Sequence, residues 1–346
     1  MNNAIKLVFI FLFLISALTV FSVKIEDFVK NIFEQYPNAV AVELTWQSAF
    51  DNYNATLLKA DSKLTIMEAD LERLQAYKTY TEERWQVIKE VFDILFELEK
   101  LSIEKSIAEI EYQMYSEDLA NKEKAVAYGG VSQRDVEIAH INTDISKGKF
   151  DYYKSLQFQK EDYIKKTLFI SQIPQLTLIT TGIQPLTIEE MNAIKEENID
   201  RMIESYRKQI EETKYKLAQS GMTTSYLADV NRRSAKIHQL KEESYANASL
   251  YDINLAYEDV KYASLKFESA LELKQIYLQQ LNKLQEAQKE GYITSYDYYQ
   301  GVLDIYQYDQ MAWEEKYNLF ENICLYLQAK GANPVEVLPA YIQESE

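Results

Sequence analysis

The sequence predicts an all-α protein made of two tandem copies of a long antiparallel coiled-coil helical hairpin, with little or no β-structure. Three observations lead to this fold class. The chain has only 8 Gly and 5 Pro among 346 residues, so few positions favour a sharp turn. Its apolar residues recur at steps of three and four, as on one face of a helix. Two similar stretches around glycine lie about 162 residues apart, which indicates an internal repeat.

The composition argues against several classes of function. The chain has 37 basic and 54 acidic residues, a net charge of −17, and no face dense in Lys and Arg, so we expect no nucleic-acid partner. The one cysteine, Cys324, cannot form an internal disulfide, and His140 and His238 have no His or Cys neighbours at metal-ligand spacing. The sequence contains no phosphate-binding glycine loop. We therefore expect a non-enzyme without cofactor or metal.

Residues 1–22, MNNAIKLVFIFLFLISALTVFS, have the pattern of an export signal. Lys6 precedes an apolar run, Leu7–Val20, and compact residues follow where a signal peptidase would cut. The alternative is an uncleaved membrane anchor, because Leu7–Val23 approaches the roughly 20 residues that span a bilayer. In either case we expect the rest of the chain to lie outside the cytoplasm.

Two pairs of matching segments define the repeat. GGVSQRDVEIA, from Gly129, aligns with GYITSYDYYQG, from Gly291, at an offset of 162 residues. KIEDFVKNIFEQYPNAV, from Lys24, aligns with TIEEMNAIKEENIDRMI, from Thr187, at an offset of 163. Two weak matches in nearly one register favour a duplication. We predict a first hairpin at 23–170, a linker at 171–186, a second hairpin at 187–332 and a C-terminal tail at 333–346.

Long apolar seams flank each glycine and predict coiled-coil packing. Before the first glycine, apolar residues step by three and four over Ile88–Leu98 and again over Ile103–Met114. After the second glycine, a similar alternation runs over Leu303–Leu327. The segment Thr81–Ala127 would be a rod about 70 Å long if it is helical throughout. The linker contains a short apolar run that is compatible with a strand.

The two glycine motifs are interpreted as the tips of the hairpins. In each motif a glycine takes the left-handed conformation that ends one helix, and a hydroxyl residue three positions later caps the next helix. An aspartate three residues further on completes a variant of the capping box. These residues are Gly129, Ser132 and Asp135 in the first tip and Gly291, Thr294 and Asp297 in the second.

Taken together, the signal segment, the two hairpins and the tip pattern resemble the TolC-like outer-membrane efflux protein family. The resemblance extends to IEDFVKNIFEQYPNAV after the signal, to PLTIEEMNAIKEEN at the start of the second half and to LYLQAKG, which ends at Gly331. It implies an α-barrel protomer of a homotrimer, in which six hairpins enclose a helical tunnel across the periplasm. It also implies a location in the outer membrane or periplasm of a diderm bacterium.

By the same resemblance, the tips would dock on a periplasmic adaptor protein that connects the tunnel to an inner-membrane transporter. The alternative for the tip residues is a plain capped turn, and for the two aspartates capping is the favoured role. The tip residues are Gly129, Gly130, Val131, Ser132, Asp135, Gly291, Ile293, Thr294 and Asp297.

The sequence departs from this family at two places. Members of the family insert a pair of strands in each half, which together form a β-barrel in the outer membrane. Neither NATLLKADSKLTIMEADLERLQAY, from Asn54, nor AQSGMTTSYLADVNRRSAKI, from Ala218, has room for two membrane strands and a loop. We expect tight turns at both places, which leaves insertion into the membrane open.

Two other classes of protein share part of this pattern. A structural coiled-coil spacer or tether of the cell envelope needs the same heptads, but neither matched tips nor a hollow interior. A periplasmic adaptor also carries a helical hairpin, but places it between glycine-rich β domains for which this sequence has too few glycines. The shape of the assembly separates the spacer from the channel.

Overall fold

The computed structural model describes residues 25–179, 183–222 and 224–344, so the predicted export signal, residues 1–22, lies outside the described residues. Within these ranges the chain is almost entirely helical. Its elements are α1 (Ile25–Gln35), α2 (Pro37–Lys59), α3 (Lys63–Val126), α4 (Gln133–Leu168), β1 (Leu176–Leu178), α5 (Ile188–Glu197), α6 (Ile199–Leu217), α7 (Ser225–Lys289), α8 (Ser295–Ala329), α9 (Pro334–Val337) and β2 (Ile342–Glu344).

The helices of the two halves follow the same order at a nearly constant spacing. Helices α5, α6, α7 and α8 begin 163, 162, 162 and 162 residues after α1, α2, α3 and α4 respectively. Helices α3 and α7 have 64 and 65 residues, so each is about 97 Å long. The predicted rod, Thr81–Ala127, is therefore shorter than the observed helix α3, Lys63–Val126. Helix α3 begins earlier because Ser62 caps it, its hydroxyl accepting a hydrogen bond from the amide of Thr65 at 3.1 Å.

The long helices pack side by side in an open layer. In the half of the molecule that carries the tips, the order is α4, α3, α8 and α7, and in the other half it is α2, α3, α6 and α7. The indole of Trp313 on α8 donates to the carbonyl of Phe96 on α3 at 2.8 Å. Among the described helices, α4 makes no extended contact with α8 or α7, so the layer does not close into a bundle.

The hydrophobic core lies midway along the long helices, and we call it the central core. Phe92 and Phe320 stack there with ring centroids 4.8 Å apart, and Phe28 meets Phe92 edge-on at 6.1 Å. The indole of Trp85 donates to the carbonyl of Ala332 at 3.1 Å. Helix α1, the strands and the C-terminal segment cover this core. Other fully buried members are Ile32, Ile88, Ile164, Leu168, Ile253, Leu319 and Ile323.

The two strands join the segments predicted as linker and tail. Strand β1 pairs antiparallel with β2, and Leu178 lies opposite Ile342. Leu176, Leu178 and Leu338 are buried in the central core, so both segments are packed parts of the fold. The short apolar run in the linker does form a strand, but its partner lies more than 160 residues away, and no local pattern indicates that pairing.

Helix α8 buries two apolar seams, whereas the pattern of its sequence predicted one. The predicted seam ends in Phe320, Cys324 and Leu327, which are buried. The second seam is buried along Val302, Ile305, Ala312, Leu319, Ile323 and Tyr326. Helix α8 needs two apolar faces because it lies between α3 and α7 in the layer.

At the end opposite the tips, two short turns connect the long helices, and we call this the turn end. Helix α2 leads into α3 through residues 60–62, and α6 leads into α7 through a kinked turn, Ala218–Met222, in which Gly221 has φ 89°, outside the helical range. The tight turns expected after Asn54 and Ala218 are thus present among the described residues. No described helix combines the length and the apolar character needed to cross a membrane.

Candidate docking site at the hairpin tips

The first tip is a glycine-terminated helix end. Gly129 has φ 74°, in the left-handed region, and its amide donates to the carbonyl of Val126 at 3.1 Å. The amide of Gly130 donates to the carbonyl of Ala125 at 2.9 Å. This six-residue closure satisfies carbonyl groups that the last turn of α3 leaves without helical partners.

The second tip repeats this geometry. Gly291 has φ 76°, and its amide donates to the carbonyl of Gln288 at 3.0 Å. The amide of Tyr292 donates to the carbonyl of Ala287 at 2.8 Å. This bond corresponds to the one from Gly130 to Ala125 in the first tip. The left-handed glycines deduced from the sequence are therefore present at both tips.

Both of the following helices begin with a full capping box. In the first tip, the Ser132 hydroxyl accepts from the amide of Asp135 at 3.2 Å, and the Asp135 carboxylate accepts from the amide of Ser132 at 3.0 Å. In the second tip, the corresponding distances between Thr294 and Asp297 are 3.1 and 3.2 Å. Each aspartate also accepts from the capping hydroxyl, at 2.7 and 2.6 Å. All four side chains therefore have structural roles in the turns.

The hydrogen bonds of the cap affect the ionisation of its carboxylate. The hydroxyl and the amide of Ser132 both donate to Asp135 and hold the pKa of that exposed carboxyl below its usual value. The start of helix α4 also favours a negative charge at this position. The first tip therefore keeps its cap ionised well into acid.

The two tips lie at the same end of the molecule. Tyr299, close to the start of α8, lies near Glu117, close to the end of α3; burial and that carboxylate raise the pKa of the phenol. Further along the same pair of helices, Trp313 meets Phe96, so α3 and α8 run antiparallel over this whole distance. The turns at Gly129 and Gly291 are consequently neighbours.

The exposed surface of the tips contains two aromatic residues that the sequence analysis did not select. Tyr128 is 91% exposed and Tyr292 is 78% exposed, while Val131 and Ile293 are half-buried. The two tyrosines do not align in the repeat, because one precedes its glycine and the other follows it. The signal available in the sequence was simply an aromatic residue next to each tip glycine. Such exposed aromatics are typical of contact surfaces.

The edge of the layer formed by α7 carries an apolar stripe that no other described part of the chain covers. Buried residues of α7, such as Ala263 and Phe267, face α8, and the exposed stripe lies on the opposite side of the helix. Exposed apolar surface that is continuous in this way marks an interaction site. The stripe consists of Val230, Ile237, Leu240, Tyr251, Leu255, Tyr262, Leu265 and Ile276.

The other edge of the layer, at α4, carries a similar stripe. Val136, Ala139 and Ser146 face α3 and are buried, and Thr143 donates to the carbonyl of Tyr115 on α3 at 3.1 Å. The exposed residues on the opposite side of α4 are Ile138, Ile141, Ile145 and Tyr152. The two edges of the layer are thus different apolar surfaces on one chain.

The described residues include the one cysteine and both histidines of the chain. They contain no group of three or more His, Cys, Asp or Glu side chains placed to hold a metal ion. Cys324 is fully buried, and burial raises the pKa of its thiol to about 12, so the thiolate is not formed near neutral pH. His140 pairs with Glu123 at 3.3 Å, and His238 contacts Glu204 at 2.6 Å.

Comparison with known proteins identifies the fold. No protein-family profile and no curated protein sequence matches the chain. The outer membrane protein VceC from Vibrio cholerae is similar in structure, with a TM-score of 0.60, 10% identity, and coverage of 88% of this chain and 95% of that chain. For the Campylobacter jejuni outer membrane channel CmeC, the TM-score is 0.58 at 10% identity, with coverage of 93% and 87%.

The Neisseria gonorrhoeae outer membrane channel MtrE, in its open state, has a TM-score of 0.51 at 10% identity, with coverage of 89% of this chain and 88% of that chain. At such identities the likeness concerns the fold. The chain therefore has the TolC-like fold of outer-membrane channel proteins, and the fold class predicted from the sequence is confirmed.

Proposed function

We propose that the chain, which has the fold of outer-membrane channel proteins, is a subunit of an envelope efflux or export channel. Copies of the chain would join edge to edge and enclose a helical tunnel across the periplasm. The observation that carries this proposal is the open layer of long helices with an apolar stripe on each of its two edges.

A ring follows from the difference between the two edges. Among the described residues, neither the stripe on α7 nor the stripe on α4 has a counterpart to pair with. When two different surfaces of one chain associate head to tail, the assembly closes into a ring if the rotation permits. The resemblance to TolC-like proteins implies three copies. The layer would then become the wall of the tunnel.

The tips provide the second part of the proposal. A ring of such chains would present all of its tips at one rim, because Gly129 and Gly291 lie at the same end of each chain. We propose that this rim docks on a periplasmic adaptor, which connects the tunnel to an inner-membrane transporter. The contacts would include the tip residues selected from the sequence, together with Tyr128 and Tyr292.

Mass measurement and electron microscopy of the purified protein test the assembly. We expect particles with about three times the mass of one chain and a central hole. The variant Leu240→Glu with Ile276→Glu places two charges on the stripe of α7 and should give monomers. The matched control, Leu271→Glu with Leu278→Glu, alters exposed leucines on another side of α7 and should leave the ring intact.

The outcomes separate the channel from the alternative spacer or tether. A wild-type protein that stays monomeric at micromolar concentration would contradict the proposal. Rods without a central hole would favour the spacer instead. If both double variants dissociate equally, the stripe on α7 is not the interface between copies.

A further inference from the structure

At the turn end, the α2–α3 turn of the first half and the α6–α7 turn of the second half lie side by side. Thr213, near the end of α6, contacts the sulfur of Met67, near the start of α3, at 3.9 Å. Lys214 lies 3.5 Å from Glu68 on the same pair of helices. The turns at residues 60–62 and 218–222 therefore share one surface, which faces away from the tips.

This surface is basic, although the chain as a whole is acidic. Residues 57–66, 214–221 and 224–228 contain four lysines and one aspartate, and of these lysines only Lys214 pairs with carboxylates, those of Glu68 and Glu211. The outermost residues of the tips, 124–136 and 286–298, contain three basic and four acidic residues. Lys59, Lys63 and Lys216 are exposed, and no carboxylate of the described residues lies within ion-pair distance of them. Their charges are thus available to an external anion.

Apolar side chains project from the same surface. Leu58, in the last turn of α2, is 89% exposed, and Tyr226, in the first turn of α7, is 72% exposed. Leu217 and Leu227 are also exposed beside them. They stand on convex turns at the end of a rod, so they suit a deformable partner better than a rigid protein pocket.

We infer that the turn end binds the surface of an anionic lipid membrane. Lysines near such a surface are attracted to its headgroups, and exposed Leu and Tyr side chains gain free energy by entering the boundary between headgroups and acyl chains. Tyrosine favours this boundary because its ring is apolar and its hydroxyl is polar. The contact is peripheral, and it does not require ring closure.

A fluorophore attached to one introduced cysteine reports which end of the protein meets the lipid. Asp61→Cys labels the turn end and Tyr128→Cys labels an exposed position at the tips. The native Cys324 is buried and stays unlabelled in the folded protein. Both proteins carry the same N-terminal residues 1–22, so any lipid affinity of that segment is common to them. The probes are vesicles of phosphatidylcholine alone, and vesicles that also contain phosphatidylglycerol.

We expect an environment-sensitive label at position 61 to shift its emission with the anionic vesicles only, and the label at position 128 to stay unchanged. Replacing Lys59, Lys63 and Lys216 by Gln should lower the apparent affinity by about a hundredfold, at about fivefold for each lysine. Leu58→Ser with Tyr226→Ser should remove the emission shift. Since all of these positions are exposed, unchanged thermal unfolding is the check that the variants are folded.

Three results would overturn the inference: no shift at position 61, equal shifts at both positions, or unchanged affinity after the lysine replacements. None of these outcomes bears on whether the chains form a ring.

Discussion

The central core and the paired helices that extend from it to the tips are built differently. In the central core, large aromatic and aliphatic side chains such as Phe28, Phe92 and Phe320 are fully buried within one chain. Towards the tips, the buried residues are mostly small, such as Ala108 and Ala139, while large apolar residues on the outer edges stay exposed. The central core completes its packing within one chain, whereas the paired helices leave large apolar side chains exposed on their outer edges.

This difference has a geometric reason. In the central core, α1, the strands and the C-terminal segment cover the layer of long helices. Towards the tips, four of the described helices lie side by side, so each outer helix has a single neighbour among them. Stability of the isolated chain should therefore reside in the central core, and the tips should respond locally to substitution.

The largest expected effect is in the central core. Phe320→Ala removes a ring that stacks on Phe92 at 4.8 Å, and we expect it to lower the free energy of unfolding by about 3–5 kcal/mol. Leu325→Ala on the same helix is the control, because Leu325 is exposed and its replacement should cost less than about 0.5 kcal/mol. Urea unfolding measures both. Equal losses would mean that the central core does not dominate stability.

A smaller effect is expected at the second tip. Gly291 has φ 76°, and an alanine held in this conformation costs about 1–2 kcal/mol. Gly148→Ala is the matched control, since Gly148 lies within helix α4 with open space around its Cβ position, and the change should stabilise the helix by up to about 1 kcal/mol. Amide hydrogen exchange near each site measures the local stability change that each substitution causes. If both substitutions changed local stability in the same direction, the assigned backbone conformations would be wrong.

The smallest expected effect is a pH dependence confined to the first tip. Because the folded-state pKa of Asp135 is lowered, its cap contributes stability above the ordinary pKa of 3.8, and this contribution is lost as the pH falls through the folded-state value. Hydrogen exchange in the first turn of α4 should therefore accelerate in acid. Asp135→Asn should weaken that dependence in α4 only, because Glu190 and Glu204, whose carboxyl pKa values are also lowered, lie elsewhere in the fold. Uniform acid loss in both regions would refute a local cap.

Local features were predictable wherever the interacting residues are close together in the sequence. The caps at Ser132 and Thr294 follow from hydrogen bonds that span only three residues, and the positive φ at each tip glycine follows from steric limits on other residues. The start of α3 was missed because apolar residues do not recur regularly at steps of three and four between Lys63 and Thr81, although Ser62 provides a visible cap. The exposed tyrosines of the tips were missed because the repeat does not align them.

The sequence by itself determined the long helices, their breaks and the equal spacing of the two halves, because these depend on backbone preferences and on contacts one helical turn apart. Only the tertiary structure decided the order of helices in the layer, the second seam of α8 and the pairing of β1 with β2. It also decided which apolar stripes remain exposed. These features depend on side chains that are far apart in sequence, and a helical periodicity identifies an apolar face without naming the helix that covers it.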